Sequence, residues 1–261
     1  MSGASSQPSV SLSLTDRFAA AKRASRALAT QTAGAKNHAL EAIASALLLG
    51  SDRILAANRM DLEAGERNGL STALQDRLRL DEKRITALAD AVLDVAGLTD
   101  PVGETVRGSI LPNGLQVTQV RVPFGVVGVI YEARPNVTVD IAALALKSGN
   151  AAVLRGGTAA ENSNRVLVEI LQEALASAGL PADAVQTIDE FGREGARELM
   201  RARDYIDVLI PRGARSSSRP SSPSPPCRSS RPAPASCTSS STRAPTPTSQ
   251  RRSCSTRRPS G

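Results

Sequence analysis

The chain has 261 residues, 41% of them hydrophobic and 22% charged, with three Cys, one His and no Trp. That length allows one large α/β domain or two small ones around a real core, and no segment approaches the ~20 apolar residues that span a bilayer. The net charge of +7 does not point to nucleic acid. Nine of the 32 Lys and Arg but none of the 25 acidic residues fall in residues 214–261, which leaves residues 1–213 with 23 basic and 25 acidic groups.

The opening MSGASSQPSVSLSLTDRF lacks the charged start and apolar run of a secretion signal, so a cytoplasmic protein is expected, with residues 1–13 flexible. From Leu14 to about Leu98 the pattern is helical. Phe18, Ala21, Ala24 and Leu28 recur at helical spacing in the first segment. Further helices are expected over Ala39–Leu49, Ser51–Ala64, Thr72–Leu78 and Asp81–Ala96, with Gly50, Gly65 and Gly97 as stops. His38 has no second ligand or nucleophile near it in sequence and is expected to be an exposed or capping side chain. No metal-ligand pattern occurs.

After Pro101 the period changes. Leu115–Val122 alternates as LQVTQVRV, and Phe124–Tyr131 is a nearly unbroken apolar run of the kind a strand buried on both faces requires. A helix over Val137–Lys147, a strand over Ala151–Leu154 and a helix over Ser163–Ala178 follow. Strands at Val185–Ile188 and Ile206–Ile210 then flank a helix near Arg193–Arg201. Strand and helix alternating in units of this length imply an α/β fold, a Rossmann-like doubly wound parallel sheet preceded by helices, with ligands at the carboxyl ends of the strands.

Two strand ends could carry chemistry. In YEARPNVTVD, residues 131–140, a buried strand breaks at Arg134-Pro135, and an Asn136 amide at a helix start can donate toward an oxyanion; a plain turn capped by Asn136 is the alternative. In AAVLRGGTAAENSN, residues 151–164, Arg155 ends a strand and Gly156-Gly157 lets backbone approach a ligand, where a guanidinium suits a ribose or phosphate; a tight turn is the alternative. Neither is a GxGxxG fingerprint or a P-loop.

Taken together, VPFGVVGVIYEARPNVTVDIAALALKSGNAAVLRGGTAAENSN, residues 122–164, resembles the signature region of the γ-glutamyl phosphate reductase family, a branch of the aldehyde dehydrogenase superfamily. The resemblance extends upstream through AAKRASRALAT and DRILAANRMDLEAG, and downstream to DYIDVLIPRG, covering about residues 14–213. It implies NADPH as cofactor and reduction of γ-glutamyl phosphate to glutamate 5-semialdehyde in proline synthesis. In that chemistry a cysteine thiolate attacks the acyl phosphate, phosphate leaves, and the nicotinamide delivers hydride to the thioester. By resemblance, Arg155, Gly156 and Gly157 lie beside the adenosine ribose and its phosphate. Arg134, Pro135 and Asn136 lie near the nicotinamide and the reacting carbonyl, with Asn136 the oxyanion donor, and Arg212 and Gly213 open the next turn of the cofactor site. The pathway implies glutamate 5-kinase as a partner; a homo-oligomer is left open.

The resemblance stops after Gly213. Residues 214–261 contain no Val, Ile, Leu, Met, Phe, Tyr, Asp, Glu or Lys, as when a GC-rich coding region is read out of frame. Back-translation of Pro226–Ala235 with suitable codons and a shifted frame can give VPVIETGAG, and Ser249–Ser260 can give AAEILLNAKTQ, family-like segments in their expected order. Cys227, Cys237 and Cys254 all lie in this tail, so none is expected to be the nucleophile. The tail is expected to be disordered and the chain inactive. Two other functions remain: a stand-alone NADPH-binding module, or nucleic-acid binding through the Arg-rich tail, which lacks aromatics to stack on bases.

Overall fold

The computed structural model describes residues 13–212 together with Arg228–Ser229. Helix α1 (Leu14–Leu28) starts at a capping box in which Ser13 Oγ accepts the Asp16 amide and the Asp16 carboxylate accepts the Ser13 amide. The Thr32 hydroxyl caps α2 (Ala33–Leu49), so this helix begins before the periodic stretch at Ala39, and His38 is exposed on its first half. Helix α3 (Ser51–Arg67) runs through Gly65, the expected stop. It ends at Gly69, whose φ of +70° closes a Schellman turn in which Gly69 donates to the Glu66 carbonyl and Leu70 to that of Gly65. Helices α4 (Thr72–Leu78) and α5 (Glu82–Gly97) follow where the periodicity puts them.

Strand β1 (Thr105–Ile110), which the sequence reading did not include, pairs antiparallel with β2 (Gln116–Val120). Every residue of this ribbon is exposed, so the alternation in LQVTQVRV marks pleating with no layer packed beneath it.

The remaining elements are β3 (Val126–Ile130), α6 (Pro135–Lys147), β4 (Ala151–Arg155), α7 (Glu161–Ser177), β5 (Val185–Thr187), α8 (Gly192–Arg201) and β6 (Val208–Pro211). They build a parallel sheet in the order β5–β4–β3–β6, with Val127 of β3 opposite both Ala152 and Val208. The buried runs VVGV and AAVL supply its centre. Because the chain steps outward from β3 to β5 and then returns to the other side of β3, the strand order reverses between β3 and β6. That is where such sheets open a crevice at their carboxyl ends.

A two-residue strand, β7 (Arg228–Ser229), pairs with Val208–Leu209 and extends the sheet. The rest of residues 214–261, on which the expectation of a disordered tail falls, lies outside the described residues together with Gly213 and residues 1–12. Helices α6 and α7 pack on the sheet, α2, α3 and α5 pack on them, and α1 lies across β3, β4 and β5. Among the described residues no helix is long and apolar enough to cross a membrane.

Candidate functional site

Beneath the carboxyl ends of β3, β4 and β5 four buried polar side chains form one hydrogen-bonded chain. Thr138 Oγ1 donates to Asn164 Oδ1 at 2.8 Å, so the Tyr131 hydroxyl, 2.6 Å away, donates to Thr138. The Asn164 amide in turn donates to Asp189 Oδ2 at 2.7 Å. Tyr131 closes β3, Asp189 follows β5, and Thr138 and Asn164 come from the first turns of α6 and α7. The chain therefore ties two strand ends to two helix starts. Burial drives the Tyr131 phenol far above its ordinary pKa, keeping it a donor. Burial also pushes the Asp189 carboxyl up to about 7, against the Asn164 amide, the Gly156 amide and the Arg155 charge, which pull it down. Asp189 Oδ1 is buried without a hydrogen-bond partner.

The Arg155-Gly156-Gly157 turn sits on this network. A Cβ on Gly156 would collide with the Asn164 amide and crowd Asp189 Oδ2 and Tyr131. The glycine is thus required from inside the protein, and not only for close approach of a ligand as the sequence suggested. Gly157 faces the backbone of Glu132 and Ala133, which brings the two sequence motifs into contact. Ala133 itself has φ of +35°, a left-handed conformation unusual for alanine, at the point where β3 turns into α6.

Arg155 is half-buried, and its Nε reaches the Gly192 carbonyl at 3.4 Å, beside the first turn of α8. Its terminal nitrogens make no hydrogen bond or ion pair with a described residue. The α8 N-terminus carries no side-chain cap, and the amide of its first residue, Gly192, donates to the Asp189 carbonyl.

At the β3 end, Arg134 is the N-cap of α6, Pro135 the first helical residue and Asn136 the second, so Asn136 does not cap the helix. Its side chain is exposed and makes no hydrogen bond with a described residue. Arg134, Asn136 and Asp140 line one wall of a cleft of about 530 Å³ whose other wall carries Arg77, Arg79 and Arg84 from α4 and α5. The Arg212 amide donates to the Ile130 carbonyl at 2.7 Å, and its charge acts on Asp140, whose carboxyl burial pushes up and Arg212 pulls down. Arg212 thus lies toward Asp140, at the crevice between β3 and β6. Gly213 is outside the described residues.

The sequence missed Asp140, Asp189 and Asn164. Asp140 was in view one helical turn from Asn136, and Asp189 follows its strand as Arg155 follows β4. Nothing local distinguished them from surface carboxylates.

The family model for the aldehyde dehydrogenase family matches residues 13–210. Over 209 residues the chain is 68% identical to a γ-glutamyl phosphate reductase of Leifsonia xyli subsp. xyli, covering 80% of this chain and 50% of that protein. Crystal structures of γ-glutamyl phosphate reductases from Thermotoga maritima and Saccharomyces cerevisiae share its fold, with TM-scores of 0.75 and 0.73. Their sequence identities are 41% and 33%; the matches cover 78% and 79% of this chain and 49% and 52% of theirs. The chain spans about half the length of the curated relatives it matches.

Proposed function

The chain belongs to the aldehyde dehydrogenase family, and from that premise we propose that its described domain is the NADPH-binding half of an enzyme reducing γ-glutamyl phosphate to glutamate 5-semialdehyde in proline synthesis. The observation that carries this is the pairing of a guanidinium with an uncapped helix start at the carboxyl edge of a doubly wound sheet. The terminal nitrogens of Arg155 offer donors that no described residue takes, beside a helix start with no side-chain cap, which fits the phosphate groups of a dinucleotide. NADPH, when bound, supplies the hydride.

The protein's own residues then divide the work. Arg155 holds the adenosine end, with its Nε anchored on the Gly192 carbonyl. Gly156 and Gly157 give the turn the shape that the network beneath it demands. Arg134 and Pro135 set the direction of α6, and the free Asn136 amide donates to the acyl oxygen as negative charge develops there. Arg212 and Gly213 continue the site beyond β6. The described residues contain no cysteine, so this domain binds and orients without supplying the nucleophile. Glutamate 5-kinase, which makes the acyl phosphate, is the partner this function implies, and the cytoplasm its setting.

Titration of the 261-residue chain with NADPH, followed by the cofactor's fluorescence, tests the proposal. Arg155→Ala should weaken binding about tenfold to a hundredfold, the worth of a charge-assisted hydrogen bond of roughly 1.5–3 kcal/mol. No binding by the unaltered chain would overturn the cofactor reading; equal binding by Arg155→Ala would return Arg155 to a turn residue.

A further inference from the structure

We propose that the cleft between the first turns of α6 and the α4–α5 segment receives the amino-acid head group of a glutamyl substrate, with Asp140 facing its α-ammonium and Arg77, Arg79 and Arg134 facing its α-carboxylate. This rests on the function proposed above and names a subsite within it.

The lining carries both signs of charge. Asp140 stands on one wall with Arg134, and Arg77 and Arg79 stand opposite. None of these three guanidinium groups makes an ion pair or hydrogen bond with a described residue. Arg84, by contrast, is already committed. Its Nη1 donates to the carbonyls of Asp76 and Arg79 at 2.7 and 2.6 Å, and its Nη2 to Asp76 Oδ1 at 3.0 Å, so it braces the α4–α5 turn that presents Arg77 and Arg79. Asp140 is half-buried and forms no direct ion pair with Arg212. A phosphate group would be drawn to the arginines but repelled by Asp140. A zwitterion satisfies both walls.

Spacing supplies the second observation. Asn136 and Asp140 are four residues apart on α6, so they lie on one helix face with Cβ atoms about 5–6 Å apart. In an extended glutamyl chain the α-nitrogen and the acyl carbon are separated by four bonds of about 1.5 Å, a span of about 5 Å. One ligand can therefore reach Asp140 with its ammonium while its acyl oxygen meets the Asn136 amide. The cleft has room for a five-carbon amino acid, with volume remaining for water.

The test uses the 261-residue chain and saturation-transfer NMR titrations with L-glutamate, whose γ-carboxylate stands in for the acyl group, and with N-acetyl-L-glutamate, which lacks the ammonium. The expected result is millimolar binding of L-glutamate, about tenfold tighter than the acetylated compound. Asp140→Asn should erase that preference, and Arg77→Gln, at an exposed position, should weaken both ligands about tenfold. Thermal melts of both variants check that the fold is kept. Absence of L-glutamate binding, binding without preference, or a preference that survives Asp140→Asn overturns the head-group site. NADPH titrated into the same samples separates the two failures: a chain that binds NADPH but not L-glutamate loses only this subsite, and one that discriminates between the two amino acids without binding NADPH loses only the cofactor reading.

Discussion

Asp189 sits 4% exposed beneath the turn that carries Arg155, and its carboxyl holds a proton up to about pH 7 in the folded protein. In the unfolded chain the same group releases its proton near 4. Between those values the unfolded chain binds fewer protons than the folded one, so stability falls as pH rises through the window and levels off above it. The difference is worth about 3–5 kcal/mol at ~1.4 kcal/mol per pH unit. Asp189→Asn keeps a side-chain oxygen for the Asn164 amide and removes the titration. Urea denaturation from about pH 4 to 8 should show the wild type losing stability relative to Asp189→Asn across that window; parallel pH profiles would show that the carboxyl is ionised throughout. Gly125 shows the same logic in another place: with φ of +116°, it leaves the space that Asp207 fills on its way to the Val126 amide and to Lys22.

Helix α7 follows the Gly156-Gly157 turn after a single 3-10 turn, Thr158–Ala160, without a side-chain cap of its own, and α3 supplies one. Asp61, buried on α3, accepts hydrogen bonds from the Asn162 and Ser163 amides at 3.2 and 2.7 Å, from Asn162 Nδ2 and from Ser163 Oγ. One turn back, Asn58 accepts the Leu80 amide and donates to the Leu78 carbonyl and to Ser163 Oγ. The NRMD stretch of α3 thus fixes the start of α7 and the α4–α5 segment together. Asp61→Ala should lower stability by about 2–4 kcal/mol, since a helix cap is lost and buried donors are left unpaired. The shift in urea midpoint measures it, and a loss within ~0.5 kcal/mol would show that water replaces the carboxylate without penalty. Two buried lysines lock the outer helices. Lys36 of α2 pairs with Asp100 at 2.5 Å, and although burial alone would raise Asp100, the hydrogen bond to Lys36 and the Val102 amide hold its carboxyl below the usual range. Lys147 of α6 donates to Asn37 Oδ1 and the Ala96 carbonyl at 2.6 and 2.7 Å, joining α6 to α2 and α5.

At the scale of the molecule, the family match ends at residue 210, three residues before the composition changes. A change of reading frame near codon 213 would account for a tail of Ser, Pro, Arg, Thr and Ala; DNA sequencing across that codon tests this, one base gained or lost being the expected result and an unbroken frame removing the explanation. The 261-residue chain should bind NADPH yet show no turnover of glutamate 5-semialdehyde and phosphate with NADP⁺. Positioning a thiolate against the acyl carbon contributes ~7–11 kcal/mol to catalysis, and all three cysteines fall outside the described residues. Turnover above a no-enzyme control that Cys227→Ser, Cys237→Ser or Cys254→Ser abolishes would show that the tail supplies the nucleophile.

Periodicity and motif by themselves determined the helices, the order of strands β3 to β6 along the chain and their parallel sheet, and Arg155 as the residue that ends β4. Runs such as FGVVGVIY are long enough for local hydrophobic pattern to decide their fate. The exposed β1–β2 ribbon escaped because alternation reports pleating whether or not a layer covers it. Gly65 misled because a glycine inside a helix and one that ends it look alike until the φ of Gly69 is known. Tertiary structure alone decided that Asp61 caps a helix a hundred residues away, that Gly156 is held open by Asn164 and Asp189, and that Asp140 shares a cleft with Arg77 and Arg79. Each of these depends on burial and on partners distant in sequence, and a carboxylate's charge, proton and neighbours are set only when the chain has closed around it.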